Sequence, residues 1–249
     1  MPVVFNDKEH RYTNSRTGEN YISVTTLLGQ YKPKFDLDGQ AANVARREGL
    51  LVEEVKAYWA DLNRISTTRG TAIHKIMETY IESRVSTGEE QELISYIEDQ
   101  LNKNKEYTIH SEQVLYNDHF RVAGMADIIL EGKDTFKVWD LKTNKKFRFT
   151  NTFTTDKFLL SPVDHLVNCE YSNYALQLSL YAYMKEELSN KKCEELKIIY
   201  LKKNPDNTSI VEEFYMPYLK SDIQKILSNK YQKELFYNIK TMNEKENNQ

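Results

Sequence analysis

Residues 120–143 read FRVAGMADIILEGKDTFKVWDLKT. Two runs with strand character, 120–130 and 136–141, flank Glu131-Gly132-Lys133-Asp134, a cluster of turn-forming residues. A third such run, 108–116, precedes them across the turn-forming pair Asn117-Asp118, so an antiparallel meander is expected in mid-chain. Asp127 lies on one of these strands and Asp140 on the next, with Lys142 two residues further on. The two-residue period of a strand puts Asp140 and Lys142 on one face, so two carboxylates and an amine can converge. Hard divalent cations such as Mg²⁺ prefer oxygen ligands, and a neighbouring lysine can orient or deprotonate a water. Taken alone, a strand-borne D-x-K is also a common solvated ion pair.

Working outward, the spacing predicts helices on both sides of the meander. Ala41, Val44, Ala45, Leu51, Val52, Val55 and Trp59 recur at three- and four-residue intervals and suit one or two amphipathic helices. Ser66, Thr67 and Thr68 offer N-caps for a separate helix carrying Ile73, Ile76, Met77, Tyr80 and Ile81. Leu93, Ile94, Ile97 and Leu101 predict another. The chain opens on short strands around Val3-Val4-Phe5, His10-Arg11-Tyr12 and Tyr21-Ile22-Ser23-Val24, an entry hairpin. After Thr143 comes an irregular stretch with a basic start, then a helix from Tyr171 to about Leu188. Residues 196–201 and 209–215 flank Asn204-Pro205-Asp206-Asn207 and predict a closing hairpin, followed by a last amphipathic helix from Leu219 and a frayed polar tail from Asn243.

Composition bounds the function classes. The chain has 249 residues, 40% hydrophobic and 29% charged, with 8 Gly and 5 Pro, which excludes disordered and collagen-like classes. Its 34 basic and 37 acidic residues give a net charge of −3, so any nucleic-acid site must be a local patch. A mean hydropathy of −0.67 without a long apolar run speaks against a membrane span, and the opening residues read as neither secretion signal nor transit peptide, so a cytoplasmic protein is expected, in the host cytoplasm if phage-encoded. Two cysteines, Cys169 and Cys193, are too few for a thiolate cluster, so no iron-sulfur cluster is expected.

Further pieces join the D-x-K. Gly70-Thr71-Ala72-Ile73-His74 opens the helix that Ser66, Thr67 and Thr68 would cap, with His74 at the border of the buried stripe, where a hydrogen-bonded core histidine is the plainer reading. Glu78, one turn on, reads as a helix-face carboxylate. Gln177 and Tyr181 are four apart and share a helix face. In order, G-T-x-x-H (70–74), a strand Glu (Glu112), G-x-x-D (124–127), D-L-K-T (140–143) and Q-x-x-x-Y (177–181) resemble the PD-(D/E)XK nuclease superfamily. The likeness is to its RecB-like branch, including bacteriophage exonucleases and the mitochondrial genome maintenance exonuclease, and it covers residues 66–201. The Ser-Val-Thr-Thr core at 23–26 and the stretch 165–183 are also similar to phage-type members.

The resemblance implies a single α/β domain: a restriction-endonuclease-like core at 66–216, a mixed central sheet flanked by helices, an N-terminal hairpin and helical layer at 1–65, and a C-terminal helix with its tail at 217–249. It implies that Asp127 and Asp140 bind Mg²⁺ or Mn²⁺, assisted by His74 and the backbone carbonyl of Leu141, with Glu112 a second-metal ligand or an orienting group. Lys142 would position or activate the nucleophilic water, and Gln177 and Tyr181 would hold the DNA strand or Lys142. The implied activity is a DNA nuclease, an exonuclease in recombination, repair or phage genome processing, with a recombination or replication protein as a partner. DNA would lie on Arg69, Lys145, Lys146 and Arg148, with Arg46 and Arg47 as further candidates, each of which could equally be a solvated surface charge. A catalytically silent relative, serving as a DNA-binding or interaction module, is the alternative; such relatives tend to lose a ligand or the lysine, and Asp127, Asp140 and Lys142 are all present here.

Overall fold

In the computed structural model, which describes residues 2–151, 157–204, 206 and 208–246 with side chains as far as 235, fourteen elements follow one another. They are β1 (Val3–Asn6), β2 (Arg11–Asn14), β3 (Asn20–Ser23), α1 (Val24–Gly29), α2 (Leu37–Glu48), α3 (Val52–Ser83), α4 (Gln91–Lys103), β4 (Thr108–Asn117), β5 (Val122–Glu131), β6 (Thr135–Lys142), α5 (Glu170–Ser189), β7 (Lys192–Lys203), β8 (Ser209–Tyr215) and α6 (Lys220–Glu246). The strands make one mixed sheet of eight. The meander forms as expected, with β4–β5 and β5–β6 antiparallel, and so does the closing β7–β8 hairpin. Between them β6 and β7 run parallel, which requires a crossover, and α5 supplies it.

Each face of this sheet is apolar and covered. On one face Ile73 and Met77 of α3 and Leu93 and Ile97 of α4 pack on Ile128, Trp139, Leu141 and Ile199. On the other, Leu27 of α1, Leu178 and Ala182 of α5 and Ile226 of α6 pack on Ala126, Val138 and Ile198. The alternation along β6 explains the division: Phe136 and Val138 face α5, Trp139 and Leu141 face α3. The chain thus has the mixed α/β architecture, one mixed central sheet flanked by helices, that is expected from its motifs. Among the described residues no helix is long and apolar enough to cross a membrane.

Three local expectations are corrected. Ser66, Thr67 and Thr68 do not cap a helix; they lie inside α3, which runs 32 residues from Val52 and crosses the expected boundary at 65–66. Its first turn is closed instead by Glu54, whose Oε2 accepts from Leu51 N at 2.8 Å, and hydroxyl side chains inside a helix cost too little to stop one already propagating. The entry hairpin is a three-stranded extension of the main sheet, since β3 runs parallel to β5 through Ile22–Val122 and Ser23–Ala123. The last helix continues to Glu246, past Asn243 where fraying was expected; residues 247–249 of the tail, and Pro205 and Asn207 of the closing turn, lie outside the described residues.

Candidate active site

β5 is shared unevenly along one edge. Its first two residues pair with β3 and its last four, Ile128–Glu131, with β6, leaving residues 124–127 without a ladder partner on that side. Asp127 stands at the point where β6 diverges, and its Oδ2 accepts from the backbone N–H of Leu141 at 2.8 Å in place of a ladder bond. Opposite on β4, Glu112 has φ +48°, the left-handed region that costs a side-chain-bearing residue about 1–3 kcal/mol. The pleat changes phase here: Ala126 packs under α5, whereas Ile128, two residues on, packs under α3. This irregularity brings three donors together. One ligand atom each from His74, Glu112 and Asp127 lies within 4.8 Å of the others, and His74 Nδ1 is 3.3 Å from Asp127 Oδ2.

Asp140 and Lys142 share a face as expected. Lys142 Nζ is 2.5 Å from Asp140 Oδ2, and the Asp140 side chain is only 2% exposed. Gln177 Nε2 donates to Asp140 Oδ1 at 3.2 Å and to the Tyr181 hydroxyl at 3.3 Å, so the Q-x-x-x-Y pair braces the carboxylate. Gly124 is required for that brace. A Cβ there would stand 2.7 Å from Tyr181 Cε1 and 2.8 Å from Val24 Cγ2. The Ser-Val-Thr-Thr segment therefore also has a place: Ser23 Oγ caps α1 by accepting from Thr26 N at 3.0 Å, which fixes Val24 against Gly124.

The electrostatics are those of crowded acids. Burial, then the charges of Asp127 and Glu78, push the Glu112 carboxyl up to about 8. Burial and Asp127 push Asp140 up to about 6 against the pull of Lys142. Burial works against a charged Lys142, but Asp140 and Asp127 outweigh it and hold the ammonium above its ordinary value. Such a set of oxygen donors with one imidazole suits a hard divalent cation, and a cation among these carboxylates would remove the repulsion that raises them. Lys142 also lies 4.9 Å over the ring of Tyr174, whose hydroxyl donates to Asn144 Oδ1 at 3.1 Å. Tyr174 is absent from the motif set, although its place three residues before Gln177 on the same helix face is the signal that finds it.

The remaining candidates separate. Arg69 occupies another face of α3 from His74, in a crevice with Glu89, Glu90 and Glu92, 3.9 Å from the Glu90 carboxylate. Arg148 grips Glu170 at the start of α5 through Nε and Nη2, the shorter Nε contact being 2.8 Å. Lys145 and Lys146 are exposed just beyond β6, as is Arg46 on α2, while Arg47 pairs with Glu48 at 2.7 Å. Glu78 pairs with Lys75 at 2.8 Å, the helix-face role expected of it, while adding to the negative field on Glu112. Both cysteines are free thiols, Cys169 buried and Cys193 half-buried.

The sequence matches no protein-family profile and no curated protein. Among solved structures, a candidate exonuclease from Eubacterium rectale is similar over 85% of this chain and 79% of its own, at 11% identity and a TM-score of 0.39. A phage-related exonuclease from Haemophilus somnus 129PT is similar over 88% of this chain and 96% of its own, at 12% identity and a TM-score of 0.34. Neither similarity carries a functional reading, which rests on the side chains described above.

Proposed function

We propose that this chain is a divalent-metal-dependent deoxyribonuclease that hydrolyses phosphodiester bonds and works from DNA ends. The observation that carries the reading is the meeting of a His74–Glu112–Asp127 donor set with an Asp140–Lys142 pair 2.5 Å apart at the divergence of two strands. His74, Glu112, Asp127 and Asp140 would hold Mg²⁺ or Mn²⁺, with the Leu141 carbonyl as a further oxygen, because the residue's N–H already points to the Asp127 side. When bound, the cation supplies charge stabilisation for the phosphate oxygens and the departing oxygen.

The chain's own groups do the rest. Lys142, whose ammonium the two aspartates favour against burial, positions or activates the attacking water and donates to the developing negative charge. Gln177 fixes the plane of the Asp140 carboxylate and Tyr181 fixes Gln177. Lys145 and Lys146 supply phosphate contacts along the outgoing segment. Arg148, committed to Glu170, shapes that segment more than it binds DNA. An activity of this kind suits the processing of DNA ends in recombination, repair or phage genome maturation.

The test is cleavage of linear and covalently closed circular DNA with Mg²⁺, Mn²⁺ or EDTA. Linear DNA should disappear only with metal, and circular DNA should resist. Equal loss in EDTA, or an Asp127→Asn protein as active as wild type, refutes the reading; equal cutting of circles refutes the preference for ends.

A further inference from the structure

A cavity of about 680 Å³ opens beside the site, between the segment joining α1 to α2, the strap at 148–151 and the first turns of α5. Its volume falls in the range of about 300–1,000 Å³ that encloses ligands of nucleotide size. Tyr174 forms a wall common to both spaces: one side lines the cavity, and Lys142 Nζ lies over its ring. Lys32 at the rim feels both centres. Partial desolvation lowers its pKa, the Glu170 carboxylate raises it and the Lys142 ammonium lowers it again, so its charge is within electrostatic reach of the catalytic lysine.

The lining has the chemistry of an unpaired nucleotide. Phe35 stands at the mouth with 65% of its surface in water, a position that costs apolar exposure unless something flat covers it, and its ring centre is 6.4 Å from that of Trp59. Asn173 is half-buried, and neither its side-chain amide nor that of Gln40 finds a hydrogen-bond partner among the described residues. Lys32 and Lys34 form no ion pair there either. Ring faces, free amide edges and free ammonium groups are the partners of a base face, a base edge and a backbone phosphate respectively. A duplex is too wide for this space, whereas one or two nucleotides of a single strand fit.

We propose that this cavity receives the unpaired nucleotide next to the scissile phosphate of a single DNA strand, with Phe35 and Tyr174 facing its base, Asn173 and Gln40 meeting its edge, and Lys32 and Lys34 on its phosphates. The assignment rests on the nuclease reading for its orientation, and it makes the enzyme select ends that carry at least one unpaired nucleotide.

Binding of a fluorescein-labelled dT eight-mer and of a blunt hairpin duplex, measured by anisotropy in EDTA, separates this from the catalytic question. The wild type should prefer the eight-mer at least about tenfold. Phe35→Ala should weaken its binding by at least about fivefold, the low end for removal of one base stack. Asn173→Leu should weaken it in the same direction, and Lys32→Ala should also flatten the slope of log K against log salt by about 0.7. Thermal midpoints should stay at the wild-type value. No preference for the eight-mer, no binding of it at all, or unchanged affinity in all three variants overturns the assignment. A wild type that binds as expected yet cuts neither substrate with Mg²⁺ or Mn²⁺ supports the pocket and overturns the nuclease reading instead.

Discussion

Glu112→Gln should make the metal-free protein more stable, and more so as pH rises. Folded, the Glu112 carboxyl titrates at about 8 rather than its ordinary 4.5. Between those values the folded chain holds a proton that the unfolded chain has released, so stability falls as pH rises through that window and the loss is complete above about 8. The full linkage would be about 5 kcal/mol. Glu112 keeps part of its surface in water, and screening reduces the effect to about 2 kcal/mol. For a chain of this size that corresponds to about 4–8 °C in thermal midpoint. Differential scanning calorimetry in EDTA from pH 5 to 9 should therefore find wild type and variant nearly level at the acid end, with the variant ahead by that margin at pH 9. Parallel curves would mean instead that Glu112 is ionised and solvated in the folded chain.

Gly124→Ala should lower the midpoint by about 3–10 °C, because its methyl group overpacks Tyr181 and Val24 at a cost of about 1–3 kcal/mol. Gly70→Ala, inside α3 with a Cβ that meets only Thr143 Oγ1 at 3.4 Å, should raise the midpoint by about 1–4 °C in the same calorimeter, through about 0.5–1 kcal/mol of helix propensity. Lys142→Met should abolish cleavage and, in the metal-free protein, lift the Asp140 carboxyl further above its present value of about 6, readable by carboxyl ¹³C NMR. Lys145→Ala with Lys146→Ala should raise the Kd for DNA and flatten its salt slope by roughly 0.7–0.9 for each phosphate no longer neutralised. Arg148→Ala should leave that slope almost unchanged and lower the midpoint slightly through Glu170, as a titration series with calorimetry would reveal.

What is legible in the sequence is what local pattern controls. The meander, the closing hairpin and the pairing of Asp140 with Lys142 follow from period-two alternation and turn chemistry over a few residues. The break before residue 66 is misread because Ser66-Thr67-Thr68 looks like a cap, whereas the helix expected from Leu51, Val52, Val55 and Trp59, opened by Glu54 reaching back to Leu51, runs on through it. The left-handed Glu112 carries no residue-type signal at all, since glycine or asparagine would be the usual occupant, and with it goes the phase change that lets α3 and α5 both contribute to one site. The parallel docking of β3 on β5 and the cavity beside Lys32 join segments about a hundred residues apart, beyond the reach of any short-range pattern. Charge is legible as type but not as commitment. Arg69 and Arg148 read like Lys145 and Lys146, yet the first faces the Glu90 carboxylate and the second is bonded to Glu170.

Whether His74, Glu112 and Asp127 hold a catalytic cation is answered by calorimetric titration of Mn²⁺ at pH 7. Binding should be saturable and release protons, seen as a dependence of the heat on the buffer's ionisation enthalpy, because the Glu112 carboxyl at about 8 must ionise to ligate. Asp127→Asn should weaken binding severely and Glu112→Gln should remove most of the proton release. Absent binding, or binding that neither substitution changes, would mean that these three side chains hold no cation.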